Sequence, residues 1–142
     1  MIIADTGDLS SSYMLGVNEV SLARSAIGGL LIVYQDYWQT NQEYTVYMDK
    51  DTGQTVNGVT TRWAGTLTPF TSSSQLMIFG STDADRYGIA KLFYLKIWQN
   101  GTLVRDFIPI KDADSVPCMY DFVTKQKFYN AGTGDFIAGP DL

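Results

Sequence analysis

The chain has no histidine, a single cysteine (Cys118), and only two glutamates, Glu19 and Glu43, in 142 residues. Without an imidazole, neither a Ser-His-Asp nor a Cys-His mechanism has its base. One cysteine cannot furnish a Cys/His zinc site or close an intramolecular disulfide. Cys118, between Pro117 and Met119 at the edge of an apolar segment, reads as a buried structural thiol, with no cation beside it to lower its pKa. Basic residues are also sparse: 10 Lys and Arg stand against 15 Asp and Glu, a net charge of −5. That balance argues against a general nucleic-acid binder, which normally shows a basic patch. No apolar run approaches the ~18 residues that a spanning helix needs, so no membrane span is expected. The first residues, Met1-Ile2-Ile3-Ala4-Asp5, lack the basic n-region of a signal peptide, although a domain cut from a longer secreted chain would read the same.

What is present is a β composition. Aromatics make up 13% of residues, with nine tyrosines, and glycine, serine and threonine are frequent. β-Branched and aromatic side chains suit a pleated, half-buried surface. No window carries an i, i+3, i+4, i+7 stripe over three turns. Short apolar or alternating runs recur instead, at residues 12–17, 29–38, 44–49, 54–63, 75–80, 90–99, 102–108, 119–123, 127–129 and 136–138. The expectation is an all-β, antiparallel sandwich or jelly roll with little or no helix, in a single domain over residues 1–142.

Two Asn-Gly pairs, Asn57-Gly58 and Asn100-Gly101, are hairpin turn signals, because a type I′ turn needs positive φ at both positions. A two-residue loop at Asn100-Gly101 pairs Trp98 with Leu103 and Lys96 with Arg105. Phe93, Leu95 and Ile97 then share the core face. The same register sets two cations side by side and turns Asp106 toward the core opposite Leu95. Either a bulge or a buried partner for Asp106 is therefore expected.

The run Leu92-Phe93-Tyr94-Leu95-Lys96-Ile97-Trp98-Gln99-Asn100-Gly101-Thr102-Leu103-Val104-Arg105-Asp106-Phe107-Ile108-Pro109 is followed by Met119-Tyr120-Asp121-Phe122-Val123, Lys127-Phe128-Tyr129, Gly132-Thr133-Gly134-Asp135-Phe136 and Gly139-Pro140. In that order these blocks, in the C-terminal part of the chain, resemble blocks common in concanavalin A-like, laminin-G-like jelly rolls of gut bacteria and their phages. The resemblance covers residues 76–140. Pro117-Cys118 departs from the family's glycine-rich approach, and Ala4-Asp5-Thr6-Gly7 is the counterpart of a longer N-terminal phrase. The resemblance thus implies either an N-terminally abbreviated sandwich or an edge strand supplied by a neighbouring chain. It also implies carbohydrate recognition or adhesion, on a phage virion surface, a tail fibre or a bacterial surface. Arg105-Asp106 and Tyr120-Asp121 recur in the family pattern and read as structural, Asp121 capping a turn.

Three sets of candidate residues follow. Sugars stack their C–H faces on aromatic rings, which singles out Trp38, Trp63 and Trp98, with Tyr34 and Tyr37 beside Trp38 and Asp36, Gln39 and Asn41 as hydrogen-bonding groups. The ordinary alternative is that these rings pack in the sandwich. Calcium is the second candidate, at Asp49 and Asp51 of Asp49-Lys50-Asp51-Thr52-Gly53, with Asp83-Ala84-Asp85 and Asp112-Ala113-Asp114 as further acidic pairs. Calcium takes about 6–8 oxygens, more than a D-x-D pair offers, and the same residues build ordinary turns. No other cofactor is implied. The third is a carboxylate pair for glycoside hydrolysis, but the E-x-D-x-E strand of concanavalin-like glucanases is absent.

The expectation is therefore a non-catalytic carbohydrate-binding, lectin-like module. The alternative is a structural virion protein, a decoration or fibre domain without a ligand, and a glycoside hydrolase fragment ranks third. Expected partners are a glycan or other virion and surface proteins, including a second copy of the chain.

Overall fold

The structure, a computed structural model, describes residues 2–5, 13–17, 22–39, 41–71, 76–78, 90–132 and 135–140. Among these residues all regular secondary structure is strand, and every pairing is antiparallel. The chain divides into two compact units, Met1–Ile89 and Ala90–Leu142.

The first unit holds two sheets. In one, β1 (Ile2–Asp5), β2 (Tyr13–Val17), β3 (Leu22–Ile27) and β4 (Leu30–Tyr37) form a meander, and β8 (Met77–Ile78) returns beside β1, giving the order β4-β3-β2-β1-β8. The other is the three-stranded meander β5 (Val46–Asp49), β6 (Gly53–Val56) and β7 (Val59–Thr61). The second unit is a four-stranded sheet in the order β12-β11-β10-β9, from β9 (Leu95–Gln99), β10 (Thr102–Lys111), β11 (Pro117–Asp121) and β12 (Gln126–Phe128).

Both Asn-Gly signals are two-residue hairpin turns with positive φ at each position: 48° and 85° at Asn57-Gly58, 50° and 77° at Asn100-Gly101. Asn57 adds side-chain support, its Oδ1 accepting the Thr45 N–H at 2.9 Å. Gly28-Gly29 turns β3 into β4 in the same way. The first strand and β3 fall outside the sequence-based expectation. Leu22-Ala23-Arg24-Ser25-Ala26-Ile27 is rich in weak strand formers, and it is the pairing on both sides that holds it extended. Residues 136–138 carry no strand, and the 90–99 run begins to pair only at Leu95.

The β9–β10 hairpin resolves its conflicting charges with a bulge. Thr102 pairs with Gln99 and Leu103 with Trp98, but the register then shifts so that Arg105 faces Ile97, Asp106 faces Lys96 and Phe107 faces Leu95. The extra residue is Val104. One inserted residue moves everything beyond it to the opposite face. Phe107 thereby replaces Asp106 on the core face, where it is buried and meets Phe128 edge-on at 5.4 Å between ring centres. Asp106 reaches Lys96 instead, Oδ2 to Nζ 3.2 Å. As expected, Leu95 and Ile97 are half-buried while Lys96 and Trp98 are exposed, but Phe93, expected on the same core face, is 49% exposed, because the chain pairs only from Leu95 onward.

Candidate functional site

In the first unit, Trp38 follows β4 and lies flat against Tyr44, with ring centres 4.7 Å apart and planes within 5°. Both rings, with Val46, pack on buried Val56 of β6. The Tyr44 hydroxyl accepts the Gln39 N–H at 2.9 Å. Trp38 therefore spends one face on Tyr44, and its indole N–H is buried without a partner. Gln54, two residues from Val56 on the same face of β6, is fully buried, and its amide oxygen and nitrogen are likewise unpartnered. Asp36 and Tyr37 are the last two residues of β4. Trp63 is half-buried, donating its indole N–H to the carbonyl oxygen of Asp49 at 2.8 Å.

Asp49 closes the β5–β6 turn. Its Oδ1 accepts the Asp51 N–H (2.9 Å), the Thr52 N–H (2.8 Å) and the Thr52 hydroxyl (2.9 Å). Burial raises the carboxyl pKa, but the donors from Thr52 and Asp51 outweigh it and hold the group below its usual value. Asp51 carries an ion pair with Lys50 at 2.6 Å. Among the described residues no group of three or more His, Cys, Asp or Glu side chains converges. The pair Asp83 and Asp85 lies outside the described residues.

In the second unit, two aspartates organise the sheet. Asp121 ends β11 and is fully buried. Its Oδ1 accepts the N–H of Asp106 at 2.9 Å and of Val123 at 3.0 Å, and its Oδ2 accepts the Thr124 hydroxyl at 2.8 Å. Arg105 stands 3.7 Å from Oδ2. The Lys125 N–H closes the turn on the Asp121 carbonyl at 2.8 Å, with Lys125 at φ 60°. Desolvation pushes the carboxyl pKa up, yet the donors from Asp106, Thr124 and Val123 prevail and lower it.

Asp112 organises the β10–β11 connection. Its Oδ1 accepts the N–H of Val116 (2.9 Å) and of Asp114 (3.0 Å), and its Oδ2 accepts the Tyr129 hydroxyl at 2.9 Å. The Val116 N–H, followed by the Tyr129 hydroxyl, draws the Asp112 pKa below its usual value, and Lys127 adds to this. The same hydrogen bond raises the Tyr129 phenol. Cys118 is buried, and desolvation followed by the charge of Asp112 raises its pKa, so the thiol stays protonated at neutral pH.

Beside this connection lies a groove of about 420 Å³, lined by Val116, Pro117, Tyr129, Asn130, Gly132, Asp135 and Phe136. Tyr129 is 49% exposed, and its ring is fixed at the hydroxyl end by Asp112. Asn130 bends the chain around Gly132, accepting its N–H at 3.2 Å. The groove thus joins aromatic rings to an amide and a carboxylate, the mixture that small-molecule sites use for area and for orientation.

The described lining residues include none of the sequence-derived site residues. Trp38 sits in the aromatic cluster of the first unit, Trp63 is tied to the Asp49 turn, and Trp98 is the tryptophan that stands half exposed, on the edge strand β9. Tyr129, Asp135 and Phe136 were legible as members of the family-like block, and Tyr129 and Phe136 also of short strand runs, not as site residues, and Asn130 carried no signal. Comparison with family models, curated proteins and solved structures gives no match.

Proposed function

We propose that the chain is a non-catalytic carbohydrate-binding or adhesive module of the concanavalin A-like jelly-roll kind, displayed on a virion or cell surface, with a saccharide seated in the Tyr129–Phe136 groove. The observation that carries this reading is the Tyr129 ring. It is half exposed, cannot swing freely because Asp112 holds its hydroxyl, and has Asn130 and Asp135 beside it. A pre-positioned ring offers stacking area to the C–H face of a pyranose at little entropic cost, and the polar groups take its hydroxyls. Titration of the full chain with neutral oligosaccharides, followed by amide NMR, tests it. The expected result is millimolar to micromolar binding that shifts residues 129–136 and is lost in Tyr129→Ala. Absence of any shift across a broad glycan panel would refute it.

A second reading, assembly into a virion or fibre, is favoured by one observation. Phe93, Tyr94 and Trp98 are about half exposed and Ile137 is 93% exposed. Such side chains cover well in an interface. Sizing in solution decides it: a stable oligomer supports assembly, and a monomer at high concentration removes it.

A further inference from the structure

We propose that the groove selects uncharged or amine-bearing saccharides and rejects uronic acids and sulfated sugars; this rests on the saccharide reading above. The charge around the groove carries the inference. Among the described residues no lysine or arginine lines it, and the ionisable wall groups are the Tyr129 phenol and the Asp135 carboxylate. Behind the ring, Asp112 accepts the phenol proton, and Asp114 follows in the same loop. Both aspartates act on the Tyr129 hydroxyl as negative charges. Among the described residues two cations neighbour this cluster without lining the groove: Lys111, which precedes Asp112 and pairs with Pro117 across β10 and β11, and Lys127, which lies opposite Tyr120 on β12 and is engaged electrostatically with Asp112.

An anionic ligand in such a place gains no counter-charge and meets like charge at short range. A neutral sugar does better. Asp135 accepts hydroxyl protons, and the Tyr129 oxygen, having donated its proton to Asp112, still accepts one. An ammonium group does better again, because its bond to a carboxylate is charge-assisted. Asp135 is exposed, so its role can be changed with little effect on the fold.

The test uses three trisaccharides of matched length at about 0.15 M salt in mildly acidic buffer, where an amino sugar is protonated and carboxylates stay ionised: cellotriose (neutral), fully deacetylated chitotriose (ammonium-bearing) and trigalacturonate (acidic). Amide shifts of Asn130, Gly132 and Asp135 report occupancy in the full chain. The expected order is chitotriose, then cellotriose, with trigalacturonate weaker by about tenfold or more, the scale of an unpaired like-charge contact. In Asp135→Asn the advantage of chitotriose over cellotriose should shrink, and the penalty on trigalacturonate should fall severalfold. Trigalacturonate binding as tightly as cellotriose, or an order unchanged by Asp135→Asn, would overturn the selectivity while leaving a saccharide site in place. Shifts with none of the three, together with none across the broad glycan panel, would overturn the saccharide reading itself, and the selectivity with it.

Discussion

Removing the Asp121 carboxylate should strongly destabilise the second unit. In Asp121→Ala the N–H groups of Asp106 and Val123 and the Thr124 hydroxyl lose their acceptor together. Arg105 contributes less, because its side chain is 42% exposed and 3.7 Å away and can turn to solvent. The hydroxyl can rotate toward another acceptor, whereas a backbone N–H cannot. Two orphaned N–H groups at about 1–2 kcal/mol each, plus about 1 kcal/mol for the hydroxyl bond, give a loss of about 3–5 kcal/mol. Urea unfolding followed by the NMR signals of residues 95–128 is the assay. At a slope near 2 kcal/mol/M the midpoint should fall by about 2 M with the slope unchanged. Asp121→Asn keeps an oxygen for the two N–H groups and should lose about half as much. A midpoint shift below about 0.5 M in Asp121→Ala would refute the reasoning. The pH dependence supplies an independent check. The folded-state pKa is depressed, so the stabilisation is complete above the unfolded value of about 3.9 and is lost as pH falls through the folded value. The gap between wild type and Asp121→Asn should therefore stay constant from pH 7 to about 5 and close in acid below about pH 4.

Two further outcomes are expected. Gly53 sits at φ 129°, where a Cβ would fall against the carbonyl oxygen of Thr61 and 2.9 Å from Cα of Arg62; Gly53→Ala should cost about 2–4 kcal/mol, read as a drop in Tm, and a neutral effect would contradict the close approach of β6 and β7. Lys96 and Asp106 are 39% and 19% exposed, so a double-mutant cycle should give a coupling of only about 0.5–1 kcal/mol that weakens in 1 M salt, and a salt-independent value would mean that the pair is buried in solution.

The strand-rich class was legible because β-branched and aromatic residues recur in short runs without a helical stripe. The Asn57-Gly58 and Asn100-Gly101 turns were legible because few residue pairs accept two positive φ values. The β10 bulge was half legible. The clash of Lys96 with Arg105 and the inward Asp106 showed that the simple register had to fail, but either of two remedies would have served. Insertion at Val104 is the one used, and it satisfies Asp106 with Lys96 and frees Arg105 to stand beside Asp121. In β3, Ala23, Ser25 and Ala26 gave no local strand signal, since neighbours on both sides hold that segment extended.

The candidate site was less legible still. Tryptophans drew attention because a large ring stacks well on sugar, yet a large ring also packs well in a core, and only coordinates tell which. Trp38 lies against Tyr44 and Val56, and Trp63 is tied to Asp49. The acidic Asp49 loop read first as an ordinary turn and only secondarily as a cation site, and the structure shows its Oδ1 accepting from Asp51 and Thr52. Tyr129 had no distinguishing mark, because its environment comes from Asp112, 17 residues earlier.

By itself, the sequence excluded imidazole-based and zinc-thiolate chemistry, established a β composition and marked two hairpin turns, since these depend on which residues exist or on dihedrals within a residue or two. Tertiary structure alone decided which rings are buried, which aspartates close turns, and that Val116 and Pro117 line one groove with Tyr129, Asn130 and Phe136. Those outcomes depend on which distant segments compete for the same space and the same hydrogen bonds, and pairing across a sheet settles that competition.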